Sequence, residues 1–246
     1  MEKYVRQQIE AQGLSPILDK SWKKILGKVI SAPDFTIVQD DATVFIEVKR
    51  KHLPEVPKVL QTNDAFACHL DDSVVKGVVE MYSLASEVMK TRPDCIKNFD
   101  GFYGVVVTYK NDYLRGGQQF WDEFLREEVA EQLDNLSIDP NMIQPENIFL
   151  LPIDDMDYLL AFLKENPEST LGAVFEQVKE YEADPACSSF FFHDHLSRIA
   201  GGQTPRPEYL WDKISVVIDE ITDKMLENEE GSILAQRTLN RVQKRV

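Results

Sequence analysis

The sequence predicts an α/β protein: a central mixed sheet flanked by helices, with a helical C-terminal extension. Three observations carry this expectation. Short runs rich in β-branched and aromatic residues recur at 34–39, 43–49, 102–109 and 147–153. Segments of helical period separate them. Beyond about residue 168 only the helical period remains.

The elements follow in order. Residues 2–12 read as a short helix, with Val5 and Ile9 as i,i+4 neighbours and Gly13 as its stop. Residues 22–30 (WKKILGKVI) hold enough aliphatic side chains to be read as a strand. DFTIVQ at 34–39 follows the Pro33 break, and TVFIEVK at 43–49 is the strongest strand signal, with Asp40 and Asp41 in the turn between them. Residues 72–90 form a helix with a broad apolar face of Val75, Val78, Val79, Tyr82, Leu84, Ala85 and Val88. FYGVVVTY at 102–109 reads as a buried central strand. Gly116-Gly117 then turns the chain into an amphipathic helix at 118–135, where Trp121, Leu125, Val129 and Leu133 repeat every four residues. Residues 147–153 give another buried strand, with Asp154 or Asp155 as cap of the helix Met156–Lys164. An irregular stretch at 201–208 precedes a last helix near 209–228. The division expected is a core over 1–165 and a helical extension over 166–246 packed on it.

Composition excludes several classes. The chain has 246 residues, 43% apolar and 28% charged, which is neither a disordered nor a collagen-like nor a small disulfide-stapled composition. It contains no uninterrupted apolar run of the roughly 18 residues that a membrane span needs, and MEKYVRQQIEAQ has no apolar secretory core. Cys68, Cys95 and Cys187 are sparse, odd in number and form no CxxC pair, which predicts a reducing, cytoplasmic setting without a zinc cluster. The net charge is −15, but it is uneven: residues 1–60 carry 10 basic and 8 acidic side chains, and residues 61–246 carry 17 and 34. An acidic chain is a poor nonspecific ligand for nucleic acid. The basic section, however, holds a lysine run, Lys20, Lys23, Lys24 and Lys28, with no acid until Asp34.

That same section contains the sharpest motif, Pro33-Asp34 followed by Glu47-Val48-Lys49. Alternate residues of a strand share a face. Phe45, Glu47 and Lys49 therefore lie together, opposite Val44, Ile46 and Val48. Two carboxylates and a lysine can converge at one end of a hairpin, and an unpaired acid within so apolar a strand is costly unless a cation meets it. Read alone, Asp34 also fits turn chemistry, and Glu47 with Lys49 also fits an ion pair on an exposed strand face.

The pattern, Pro33-Asp34, twelve residues, then Glu47-Val48-Lys49, resembles the PD-(D/E)XK nuclease superfamily over about residues 1–110. The resemblance implies a restriction-endonuclease-like core and a phosphodiesterase dependent on Mg²⁺ or Mn²⁺ that cuts nucleic acid, DNA foremost. It implies Asp34, Glu47 and the Val48 carbonyl as metal ligands, with Lys49 orienting the attacking water. A further ligand from the first helix is expected, with Glu2 better placed than Glu10. Members often carry Gln on the helix after the ExK strand. Here Lys76 and Glu80 stand on that helix, as a supporting pair or as an ordinary surface pair. Lys20, Lys23, Lys24, Lys28 and Lys51 are the candidate phosphate contacts, and His52 stands beside Lys51. A role in defence against foreign DNA follows only from the superfamily's breadth.

Other motifs point less sharply. FFFHDH at 190–195 has a metal-like look, but its histidines lack further evident ligands and its three phenylalanines suit a core or an interface. A second expectation, from a different class, is a nuclease-fold binding or assembly module without activity of its own, acting through its acidic, aromatic-rich surface. A recruiting protein or a second copy of the chain would then be its partner, with no membrane involved. A third is an acidic inhibitor in which the motif is accidental.

Overall fold

Side-chain alternation along four strands divides the apolar residues into two sets, and each set has its own layer of helices. The structure is a computed structural model and describes residues 1–28, 30–49, 74–99, 101–109, 121–189 and 191–202. These contain helix α1 (Glu2–Ala11), strand β1 (Ile17–Leu18), α2 (Asp19–Leu26), β2 (Phe35–Val38), β3 (Thr43–Lys49), α3 (Lys76–Thr91) and β4 (Phe102–Thr108). A π-helical turn (Trp121–Leu125) leads into α4 (Arg126–Asn135), then β5 (Ile148–Pro152), α5 (Ile153–Glu165), α6 (Leu171–Ala183) and α7 (Phe192–Ile199).

The five strands lie in the order β1-β2-β3-β4-β5. The β1–β2 and β2–β3 pairs are antiparallel, and β3–β4 and β4–β5 are parallel, so the sheet is mixed. On one face Phe45, Phe102, Val106, Ile148 and Leu150 pack with Trp22 of α2, the apolar side of α3, and Leu125, Val129 and Leu133 at and beyond the π turn. On the other, Phe35, Ile37, Val44, Ile46, Val48, Tyr103, Val105, Val107, Phe149 and Leu151 pack with α1, α5, α6 and α7. Both parallel pairs are covered on both faces, as parallel strands require.

Two expectations need correction. Residues 22–30 are not a strand: Asp19–Leu26 is a helix, closed by Gly27 in the left-handed region at φ 68°. Trp22 is its one buried anchor, while Lys20, Lys23 and Lys24 share the opposite, exposed side, a helical period rather than an alternating one. The strand that does precede β2 is the two-residue β1, which pairs Ile17 with Thr36 and Leu18 with Phe35. Nor do Asp154 and Asp155 cap α5. The helix starts at Ile153 with Pro152 before it, and both aspartates lie in the first turn.

Among the described residues the helices expected at 2–12, 72–90 and 118–135 are present, the last opening on the π turn, as are the strands expected at 34–39, 43–49, 102–109 and 147–153. α6 and α7 contribute Leu171, Val174, Phe175, Val178, Phe192 and Leu196 to the second core. Lys51, His52, Cys68, the Gly116-Gly117 turn and the helix near 209–228 lie outside the described residues. No helix among the described residues is long and apolar enough to cross a membrane.

Candidate functional site at the end of the β2–β3 hairpin

The hairpin register sets the site. β2 pairs Phe35 with Ile46 and Thr36 with Phe45. One step further along the same register, Asp34 stands opposite Glu47, and directly opposed residues present their side chains on one face. The ladder stops there, and side chains take over its bonding. The Asp34 N–H donates to Glu47 Oε2 at 3.1 Å. The Val48 N–H donates to Asp34 Oδ2 at 2.8 Å. Lys49 Nζ donates to Glu47 Oε1 at 2.6 Å. In a strand a residue's N–H and C=O lie on the same side, so Val48 turns its carbonyl toward Asp34 as well.

This group is mostly enclosed. The side chains of Glu47 and Lys49 are 9% and 17% exposed. α3 closes over them: a Cβ on Gly77 would stand 2.8 Å from Glu47 Cγ. Burial pushes the Asp34 carboxyl up to about 7, and the Glu47 charge beside it adds to the effect, with a smaller addition from Glu2. The Val48 N–H and Lys49 oppose that shift. Burial also raises Glu47, against the hydrogen bond and charge of Lys49, with the charge of Glu80 adding to the rise. The hairpin end therefore holds two carboxyls that each resist ionisation, with the Lys49 amine bonded to one of them.

The surrounding candidates sort by element. Glu2 is exposed at the start of α1, close enough for its charge to act on Asp34. Glu10 is turned to Arg6, 2.8 Å away on the same helix. Glu80 on α3 accepts a 2.7 Å hydrogen bond from Ser31 Oγ, which ties the segment leading to Asp34 onto α3. Lys76 is exposed, one residue before Gly77. α2 begins beside the site, where the Asp19 N–H donates to the Asp34 carbonyl at 3.3 Å. It lies on the same face of the sheet as Glu47, so Lys20, Lys23 and Lys24 lead away from the hairpin end along its exposed side. Lys28, further on, forms an ion pair with Glu87 of α3.

Sequence reasoning did not single out Ser31 or Gly77. The serine left no signal, because its partner is 49 residues away. The glycine did leave one: a Gly inside the apolar helical pattern VVKGVVEM marks a close approach.

The FFFHDH segment does not gather its histidines. His193 Nδ1 meets Asp155 Oδ1 of α5 at 2.5 Å, whereas buried His195 bonds Glu182 of α6. Asp155 also accepts the Phe192 N–H at 3.3 Å. Its hydrogen bond, ahead of the nearby acidic charges, holds His193 above the usual imidazole range. These two histidines fasten α7 to two different helices.

Among the described residues no three His, Cys, Asp or Glu side chains form a group that could hold a metal ion. Compared with known protein families and with curated proteins, the chain matches none.

Proposed function

We propose that the chain is a divalent-metal-dependent phosphodiesterase with a restriction-endonuclease-like core, acting on nucleic acid, DNA foremost, in the cytoplasm. The observation that carries this reading is the placement of Asp34 opposite Glu47, with Lys49 on Glu47, at the end of one hairpin. Mg²⁺ or Mn²⁺ suits a pair of carboxylates of this kind, since such ions take one or two carboxylates and complete their shell with waters and substrate phosphates. The raised Asp34 carboxyl fits the same reading, because a bound cation offsets both the burial and the Glu47 charge that raise it.

Asp34, Glu47 and the Val48 carbonyl would hold the ion, with Glu2 near enough to add charge. When bound, the ion would lower the pKa of a water and offset charge on the scissile phosphate. Lys49, beside Glu47, would align the water and stabilise the developing charge. Lys20, Lys23 and Lys24 would hold the substrate backbone beside the site.

A second reading has its own support. Glu47 and Lys49 are already paired and largely enclosed, as in a structural ion pair, and residues 61–246 are strongly acidic. This favours a nuclease-fold assembly module that meets a protein partner or a second copy. Cleavage of plasmid and single-stranded DNA with Mg²⁺ and with Mn²⁺ separates the two. The phosphodiesterase cuts, Glu47→Ala abolishes cutting, and Lys49→Ala lowers turnover by about 10²-fold or more while keeping the ion. Wild-type protein that cuts nothing under either metal moves the assembly module ahead.

A further inference from the structure

α3 comes close to the sheet at Gly77. This glycine is buried in the first turn of the helix, and its φ is not positive, so its backbone conformation is open to any residue. Glycine there costs about 1 kcal/mol of helix propensity relative to alanine. Its use is steric. A Cβ would stand 2.8 Å from Glu47 Cγ, 3.1 Å from Lys49 Cε and 3.4 Å from Glu47 Cβ. Ordinary contact begins at 3.4 Å, so Glu47 would have to retreat by about 0.6 Å. Its carboxylate is not free to swing, because Oε1 is held by Lys49 and Oε2 by the Asp34 N–H.

Gly104 on β4 makes a useful contrast. A Cβ there would stand 2.8 Å from Met81 Sδ, also on α3. A thioether on an unbranched side chain adapts at little cost. The same helix thus approaches the sheet at two glycines, but at only one of them does it press on side chains that carry chemistry.

We infer that Gly77 is a positioning residue of the hairpin-end site: the missing side chain leaves the slot between β3 and α3 in which Glu47 and Lys49 lie side by side. This rests on the phosphodiesterase reading for its catalytic consequence, though not for its geometry. A misplacement of the order of 1 Å at a reacting group costs about 10²-fold in rate. The 0.6 Å retreat of Glu47 therefore predicts a loss of about tenfold to a hundredfold in kcat, with KM for the substrate unchanged.

The test compares Gly77→Ala with Gly104→Ala, using hydrogen exchange of the Asp34 amide, Mn²⁺ affinity, and the kcat and KM of cleavage. Gly77→Ala should speed Asp34 amide exchange at least tenfold, because its acceptor on Glu47 moves away, and should weaken Mn²⁺ binding and lower kcat. Gly104→Ala should leave all of these near wild type. Equal Asp34 exchange in wild type and Gly77→Ala, or the same acceleration in Gly104→Ala, overturns the inference. Wild-type protein that neither binds Mn²⁺ nor cuts removes the phosphodiesterase reading, and the amide measurement still judges Gly77. If Gly77→Ala does not fold, adding Glu47→Ala should restore folding by removing the nearest clashing atom. A double variant that also fails to fold overturns the inference.

Discussion

Metal binding at the hairpin end should be strongly pH-dependent, and the structure sets the scale. Asp34 titrates at about 7 in the folded chain, against 3.8 for an ordinary aspartate. An ion that ligates the carboxylate must displace its proton below that pH. At pH 5.5 only about 3% of the Asp34 carboxyl is ionised, and at pH 7.5 about three quarters is, so the apparent Mn²⁺ affinity should rise about 25-fold across that interval. The sign for the metal-free protein is the reverse. A carboxyl raised on folding contributes stability below the unfolded value, and that stability is lost as pH climbs from about 4 through 7. Metal should offset the loss: at a hundred times its dissociation constant, a ligand of the folded state adds about 2.7 kcal/mol. That corresponds to about 5–10 °C in Tm for a domain of this size. The assay is thermal unfolding with Mn²⁺ titrated at pH 5.5, 6.5, 7.5 and 8.5, for wild type and Asp34→Asn. The asparagine keeps an oxygen for the Val48 N–H and removes the charge. A metal response that ignores pH, or that survives intact in Asp34→Asn, would show that the Asp34 carboxylate does not ligate the ion.

Two further outcomes follow from the same description. Trp22→Phe deprives the buried Thr36 hydroxyl of the 3.1 Å indole bond and should cost about 1–3 kcal/mol in urea unfolding; an unchanged midpoint would show that this bond contributes nothing. Replacing Lys20, Lys23 and Lys24 with Gln should lower the slope of log affinity for duplex DNA against log salt by about 2.7, one phosphate per lysine. A slope unaltered between 50 and 200 mM salt, measured without divalent ion, would place the nucleic acid elsewhere or nowhere.

The parts of this fold that could be read from sequence are those fixed by short-range pattern. β3, β4 and β5 announce themselves because strands covered on both faces are nearly continuous apolar runs. Asp34 and Glu47 could be paired in advance because a short hairpin allows few registers. α2 was hidden by its own brevity: in eight residues, Ile25 and Leu26 look like strand material, and only the single buried Trp22 shows the true period. β1 is two residues long and exists only by pairing with β2. Long-range bonds left less trace. The tie between Ser31 and Glu80 has no local signature. Asp155, expected to cap its own helix, instead serves a helix 37 residues later, a choice that packing makes and local propensity does not.

The bonds at Asp155 also bear on how the chain can be divided. α7 has eight residues and no side-chain cap of its own, and a helix so short is not stable alone in water. Asp155 supplies what it lacks, accepting both the Phe192 N–H and the His193 ring N–H. The dependence runs the other way too. Phe175 stacks on Phe149 of the sheet with ring centroids 4.5 Å apart, and Phe192 meets Phe149 edge-on at 6.1 Å. A chain ending at 165 would leave Phe149 exposed to water and Asp155 without either donor. Such a fragment should be recovered as aggregate, whereas one reaching past Ile199 should refold from denaturant. The β2–β3 hairpin is complete by residue 49, but the face of its sheet that α1 and α5 share with α6 and α7 is fully covered only by chain that extends to Ile199.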